Sequence, residues 1–383
     1  MITTKERALK FVQKGRHNLE QLDDKWKNDK DIVMAAVESW GSTLEYASDE
    51  LKNDKDVVMT AISGRGRNQN FRYASDNLKN DREFIMTAIK NHASSVLEYA
   101  PDEFKNDKDI VMAAVKDSGW NLLYASDELK NDKDIVMTAV KDCGPRLDYA
   151  SDRLKDNKEV VLEAVKQNGS ALEYASDNLK NNKDVVLTAV KQYGLALRYA
   201  SKELQSNKDV VLAAVKQYGW ALEYASDKLK RDKDMILTVV KQYGHALGYA
   251  SDELKSDRDF VLEVVKQNGN ALQYASYKLK NDKNMVLTAV KQDGCALRYA
   301  SDELKNDKDI VMAAVKQTGW SLEYVSDDLK NDKDIVMAAV TQVPEVVKFA
   351  SKELQKDPDI LNIVYEIPLD QLPTKEQIAT ATL

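Results

Sequence analysis

The sequence predicts an all-α fold of the solenoid type: a right-handed superhelix of about thirteen two-helix repeats, each 25 residues long. Three observations predict it. The phrase "YASDELKNDKDIVM" stands at Tyr124–Met137 and again at Tyr299–Met312, and close variants fill the space around and between. Its tyrosine recurs at Tyr46 and Tyr73, then every 25 residues from Tyr99 to Tyr324, with Phe349 continuing the series. Self-similarity at such a period is the signature of stacked supersecondary units. Finally, apolar residues inside each copy fall at helical spacing, and six prolines with fourteen glycines in 383 residues leave no room for long linkers. An earlier unit fits the register with Gln21 at the tyrosine position and Trp26 at the following leucine position.

Each element has a local reason. In "NDKDIVMAAVKDSG", residues 106–119, Asn106 or Asp107 is an N-cap and Asp109 puts negative charge in the first turn. Ile110, Val111, Ala114 and Val115 make one face, which Met112 widens. Position 113 becomes Thr138, Glu163 and Thr188 in later copies and is expected to face water. Gly119 reads as a left-handed stop after the last turn. A shorter helix, "ALEYAS" around Tyr174, follows, with Leu172, Tyr174 and Ala175 inward. Ser176 caps a further turn, "DNLK", which tucks in Leu179. Pro101, at the serine position of another copy, agrees with a helix boundary there.

One unit buries about five large side chains, each contributing roughly 1.5–3 kcal/mol. Ordering its backbone costs about 1–2 kcal/mol per residue. A lone unit is therefore expected to be unfolded, and the array to be held by its interfaces. Three regions follow: residues 1–20 as a capping half-repeat, 21–348 as the array, and 349–383 as a degenerate repeat and cap with Pro358 at the first helical position.

The regularity argues against an enzyme, a cofactor or a metal. His17, His92 and His245 lie in different units without a second ligand at helical spacing. Cys143 and Cys295 are too far apart for a disulfide framework or a metal motif. "GRGRNQ" at residues 64–69 has no third glycine and no preceding strand, so it fails as a dinucleotide loop. The repeated serine reads as a cap, because nothing basic accompanies it as a nucleophile would require. No stretch is apolar enough for a signal peptide or a transmembrane helix, which makes the cytoplasm the default location.

Function is sought where the units differ. The variable positions lie just before the glycine, just after it and just before the anchor tyrosine. In the middle units they hold Tyr193, Leu195 and Arg198; Tyr218, Trp220 and Glu223; then Tyr243, His245 and Gly248. Stacking is expected to align the three tyrosines as an aromatic ridge with Trp220 and His245 alongside. Trp120 and Trp320 take the Trp220 position at four-unit intervals. Exposed aromatics with a few charges are the composition of a protein-binding surface, and a protein is the expected partner. A second ladder is basic: Lys90, then Lys116 and every 25th residue to Lys316. With a net charge of −7, nucleic acid is not the expected partner. The ladder reads instead as helix-end charge, compensated by acids such as those of "SDELKNDKD"; a track for nucleic acid or an anionic surface, and an enzyme or enzyme regulator with a site built across repeats, are the alternatives. Arg65, Arg67 and Arg72 add positive charge in the irregular second unit, which reads as an exposed insertion.

The phrase "ALEYASDKLKRDKDMILTVVKQYG", residues 221–244, resembles the repeat of domain of unknown function 4116. The matching features are L-x-Y/F-A-S-x-x-L, a charged N/D-K/R-D/E-x-V cap and a terminal glycine, over roughly residues 20–356. The resemblance implies arrays of short helices found in protists and intracellular bacteria, including proteins delivered into host cells. A bacterial effector translocated into a host is thus one implied setting. No catalytic residues are implied. Residues 46–98 depart from the pattern through Gly66 and Ala93, so stacking there is expected to be irregular.

Overall fold

The computed structural model describes residues 2–63 and 68–365. Among them there is no strand, and the fold is an all-α solenoid built in two compact units, Met1–Ser201 and Lys202–Leu383. Residues 366–383, most of the expected C-terminal cap, lie outside the described residues.

The repeat has three pieces rather than two helices. In one copy these are a 3₁₀ segment at Gly169–Tyr174, one α-turn at Asp177–Lys180 and a ten-residue helix at Lys183–Gln192. The shorter helix expected at "ALEYAS" is thus 3₁₀. Its backbone closes by i→i+3 bonds, as short connecting helices commonly do. Ala171 N–H to Asn168 O at 2.9 Å and Ala175 N–H to Leu172 O at 3.2 Å are such bonds.

The capping logic holds in detail. Asp107 is the N-cap of Lys108–Asp117 and accepts from the Asp109 and Ile110 amides at 2.9 and 3.1 Å. Ile110, Val111, Ala114 and Val115 are fully buried. Ala113, Thr138, Glu163 and Thr188, expected to face water, are half-buried between neighbouring helices.

Three polar ties repeat along each unit. The serine amide donates to a lysine carbonyl of the previous repeat: Ser126 to Lys105 and Ser176 to Lys155, both 2.9 Å. The serine hydroxyl donates to the next side chain along, as Ser151 does to Asn131 at 2.7 Å. Cations at the starts of long helices reach an acid one repeat on: Lys108 to Asp132 and Lys283 to Asp307, both 2.6 Å, and Arg258 to Asp282 at 2.8 Å. Where the N-cap is Asn157 or Asn182, the lysine shifts two residues to the next carboxylate, giving Lys133–Glu159 and Lys158–Asp184. Single exposed pairs contribute little, but these recur in register within both units.

The glycine after the long helix has a different cause from the one its position suggests. Gly119 does not adopt a left-handed φ; the one positive φ among described non-glycine residues is His92, at 61°. A Cβ on Gly119 would lie 2.8 Å from the carbonyl oxygen of Ala139 in the next long helix. The glycine permits close approach of two backbones.

The irregular segment stacks regularly where it is described. Phe71 is fully buried and stacks on Phe84 with ring centroids 5.9 Å apart. Ser75 N–H still reaches Lys52 O at 2.9 Å. His92 in the left-handed region turns the chain into Ala93, whose amide bonds to Ala88 O at 2.9 Å. Arg65, Arg67 and the glycines of "GRGR" lie outside the described residues.

Candidate functional site

The 3₁₀ segments place the variable side chains on one edge of each unit, because their leucine and alanine point inward. In the first unit, Tyr193 is exposed and covers Gly169 of the preceding repeat. Leu195 is half-buried, and Arg198 lies 4.4 Å over the Tyr199 ring and donates to its hydroxyl. Trp120 sits edge-on to Tyr149 at 5.6 Å, with the Arg146 guanidinium 4.5 Å from its centroid.

In the second unit, Tyr243 is half-buried over Gly219, and its hydroxyl donates to Lys216 O at 2.9 Å. It serves the stack more than the surface. Tyr218 and Trp220 stand out instead, 46% and 58% exposed, with rings 6.0 Å apart and tilted by 50°. His245 turns towards the next repeat, edge-on to Tyr274 at 6.1 Å and 3.2 Å from its hydroxyl. Trp320 pairs edge-on with Phe349 at 6.3 Å, and Lys348 lies 5.4 Å over it.

Between Trp220 and the next turns a cleft of about 350 Å³ opens, lined by Trp220, His245, Gly248, Tyr249 and Tyr274. Burial pushes the Tyr249 phenol above its ordinary value, and the Glu223 carboxylate pushes it further. Burial likewise raises the Tyr274 phenol. Both hydroxyls are therefore neutral donors around pH 7. Sequence reasoning missed Tyr249 and Tyr274 as site residues because they are anchor tyrosines elsewhere in the array. The signal was Gly248, a glycine where other copies carry Arg198, Glu223 or Lys348.

The lysine ladder is exposed throughout, and among the described residues none of its ten side chains forms an ion pair. The acids expected to compensate it pair instead with the cations at the starts of the long helices. The Gln192 side chain beside it accepts from the Gly169 amide at 2.5 Å, a further tie between repeats. Among the described residues, no group of three or more His, Cys, Asp or Glu side chains is placed to hold a metal ion, and no helix is long and apolar enough to cross a membrane.

The family model described as Domain of unknown function (DUF4116) matches in thirteen overlapping windows, from residues 4–52 to residues 307–355. No curated protein and no solved structure matches the chain.

Proposed function

The chain belongs to the DUF4116 family, and from that premise we propose that it is a non-catalytic helical-repeat scaffold that binds a protein partner. The observation that carries this reading is the Tyr218–Trp220 pair. Two large aromatics stand exposed side by side at a turn whose Gly219, Ala221 and Leu222 are buried. Such residues ordered by a rigid frame lose little entropy on binding and dominate protein interfaces. The test is affinity capture by the full chain, compared with a Tyr218→Ala/Trp220→Ala variant and with Trp120→Ala/Trp320→Ala as control. Loss of a discrete partner from the first variant alone is the expected result. Equal capture by a folded Tyr218→Ala/Trp220→Ala variant removes this surface from the reading.

A second reading rests on the unpaired lysine ladder, a regular row of cations suited to a polyanion. Its test is binding of a nucleic acid duplex at low salt. Affinity should fall steeply with added salt, and absence of binding at low salt dismisses it.

A further inference from the structure

The repeats carry an internal comparison for what a tryptophan after the glycine holds. Arg146 lies over Trp120 and Lys348 over Trp320, each cation supplied by the following repeat. The residues equivalent to Arg146 and Lys348 in the repeat after Trp220 are Ala246 and Gly248. Ala246 is buried, Gly248 has no side chain, and among the described residues no cation lies over Trp220. Trp220 is accordingly 58% exposed, against 42% and 41% for Trp120 and Trp320. It leans on Tyr218, whereas Trp120 and Trp320 pair with the anchor rings Tyr149 and Phe349. The Tyr274 ring lies close beside Gly248: a Cβ there would meet its Cε1 at 2.8 Å.

The rings of Trp220, Tyr249 and Tyr274, with the His245 imidazole, thus line a cleft at the position where Trp120 and Trp320 are covered by the chain's own cations. Aromatic faces attract a cation through the ring quadrupole, most strongly for tryptophan. Glu223 adds a carboxylate near Tyr249; it is exposed and, among the described residues, forms no ion pair. We infer that the Trp220 cleft takes a lysine or arginine side chain of the partner protein, in the place Arg146 and Lys348 occupy over the other two tryptophans. This rests on the scaffold reading and gives the partner a chemistry: a basic residue presented beside an apolar contact for Tyr218.

The experiment titrates the full chain with N-acetyl-lysine amide and N-acetyl-arginine amide, using N-acetyl-norleucine amide as the neutral control. The Trp220 indole N–H resonance, assigned by its disappearance in Trp220→Phe, is followed by NMR. Saturable shifts are expected with the two cations on the order of tens of millimolar, the range a single cation–aromatic contact supports, and none with norleucine. Measured against Gly248→Ala, which presses on the Tyr274 ring without adding a charge, Gly248→Lys supplies the Lys348 equivalent in cis and should abolish the response while the circular dichroism stays native. Glu223→Gln, an exposed change that spares the fold, should weaken it several-fold. An equal norleucine response, no saturable cation response, or unchanged cation binding in both variants overturns the inference. If capture of a partner still depends on Tyr218 and Trp220 when the cation probes fail, the scaffold reading stands and only the cation site falls.

Discussion

Replacing Gly119 separates two explanations that a glycine at a helix end always invites. If the residue served as a left-handed stop, asparagine would be the mildest substitute, because it tolerates that conformation best. In the structure the constraint is space. A Cβ would lie 2.8 Å from both Ala139 O and Asp142 Oδ2, where ordinary contact begins at 3.4 Å, so about 0.6 Å must be found. The Asp142 side chain can swing away by giving up the Gly119 amide, from which it accepts at 3.0 Å. The Ala139 carbonyl cannot, since it accepts from the Cys143 amide at 3.0 Å at the end of its helix. The two repeats must therefore separate. Overpacking of this kind costs about 1–3 kcal/mol, and the cost rises with size, so Gly119→Asn should be at least as harmful as Gly119→Ala. Hydrogen exchange of the full chain reads this locally. In the helix Lys133–Asp142, protected amides should exchange roughly 5- to 150-fold faster in Gly119→Ala, while repeats far along the first unit change little. A milder effect for asparagine than for alanine, or no effect of either, would refute the close-approach argument.

The serine ties offer an internal control. Ser176→Ala removes both the bond to Asp156 and the cap of the Leu179 amide and should cost about 0.5–2 kcal/mol in local exchange. Ser226→Ala should be near neutral, because that hydroxyl is buried without a partner opposite Ser206, and Ser206→Asn should restore the bond and slow exchange there. The hydrogen bonds from Lys233 and Arg258 hold the Asp257 and Asp282 carboxyls below their ordinary value of 3.8. A carboxyl that is more acidic folded than unfolded contributes its stability above the unfolded value and loses it as pH falls through the folded one. The urea midpoint should therefore drop as pH is lowered from 4 towards about 2, less so in Lys233→Met, and an unchanged slope in that variant counts against the bridge. Lys116→Gln/Lys141→Gln/Lys166→Gln removes three ladder charges that have no ion-pair partners, so each should cost no more than the roughly 0.3–1 kcal/mol of helix-end charge. A larger loss in urea unfolding would mean that the ladder holds the stack together. A peptide spanning residues 169–193 should show no helical circular dichroism in water, because its buried leucines and valines face neighbouring repeats.

Much of the architecture was legible because each repeat is written against its neighbours under one set of constraints. The 25-residue step, the Asp107-type caps and the Ile110–Val115 face are local patterns whose meaning does not depend on the third dimension. The glycine was misread because two causes select the same residue: a backbone that needs φ > 0, and a neighbour too close for Cβ. The 3₁₀ geometry was missed because an apolar i, i+3 pair such as Leu172 and Ala175 fits either helix, and only the backbone bonding distinguishes them. The lysine pairs required knowing which residues of two repeats stand opposite, and the evidence was present in the shift from Asp132 to Glu159 when the cap became Asn157.

The candidate site was the least legible part, for a related reason. A repeat protein spells its fold in what it keeps and opens a site where one copy leaves a contact unmade, so the site is visible only when equivalent positions are compared across the packed interface. Trp220 by itself reads the same as Trp120 and Trp320. What sets it apart lies in the next repeat, where Gly248 stands in the place of Lys348 and leaves the aromatic face uncovered. Absence of a side chain carries no hydropathy or charge signal, so composition and periodicity pass over it. Its effect appears in the packing: Trp220 leaning on Tyr218, an anchor tyrosine against the glycine, and in Glu223 a carboxylate that forms no ion pair among the described residues.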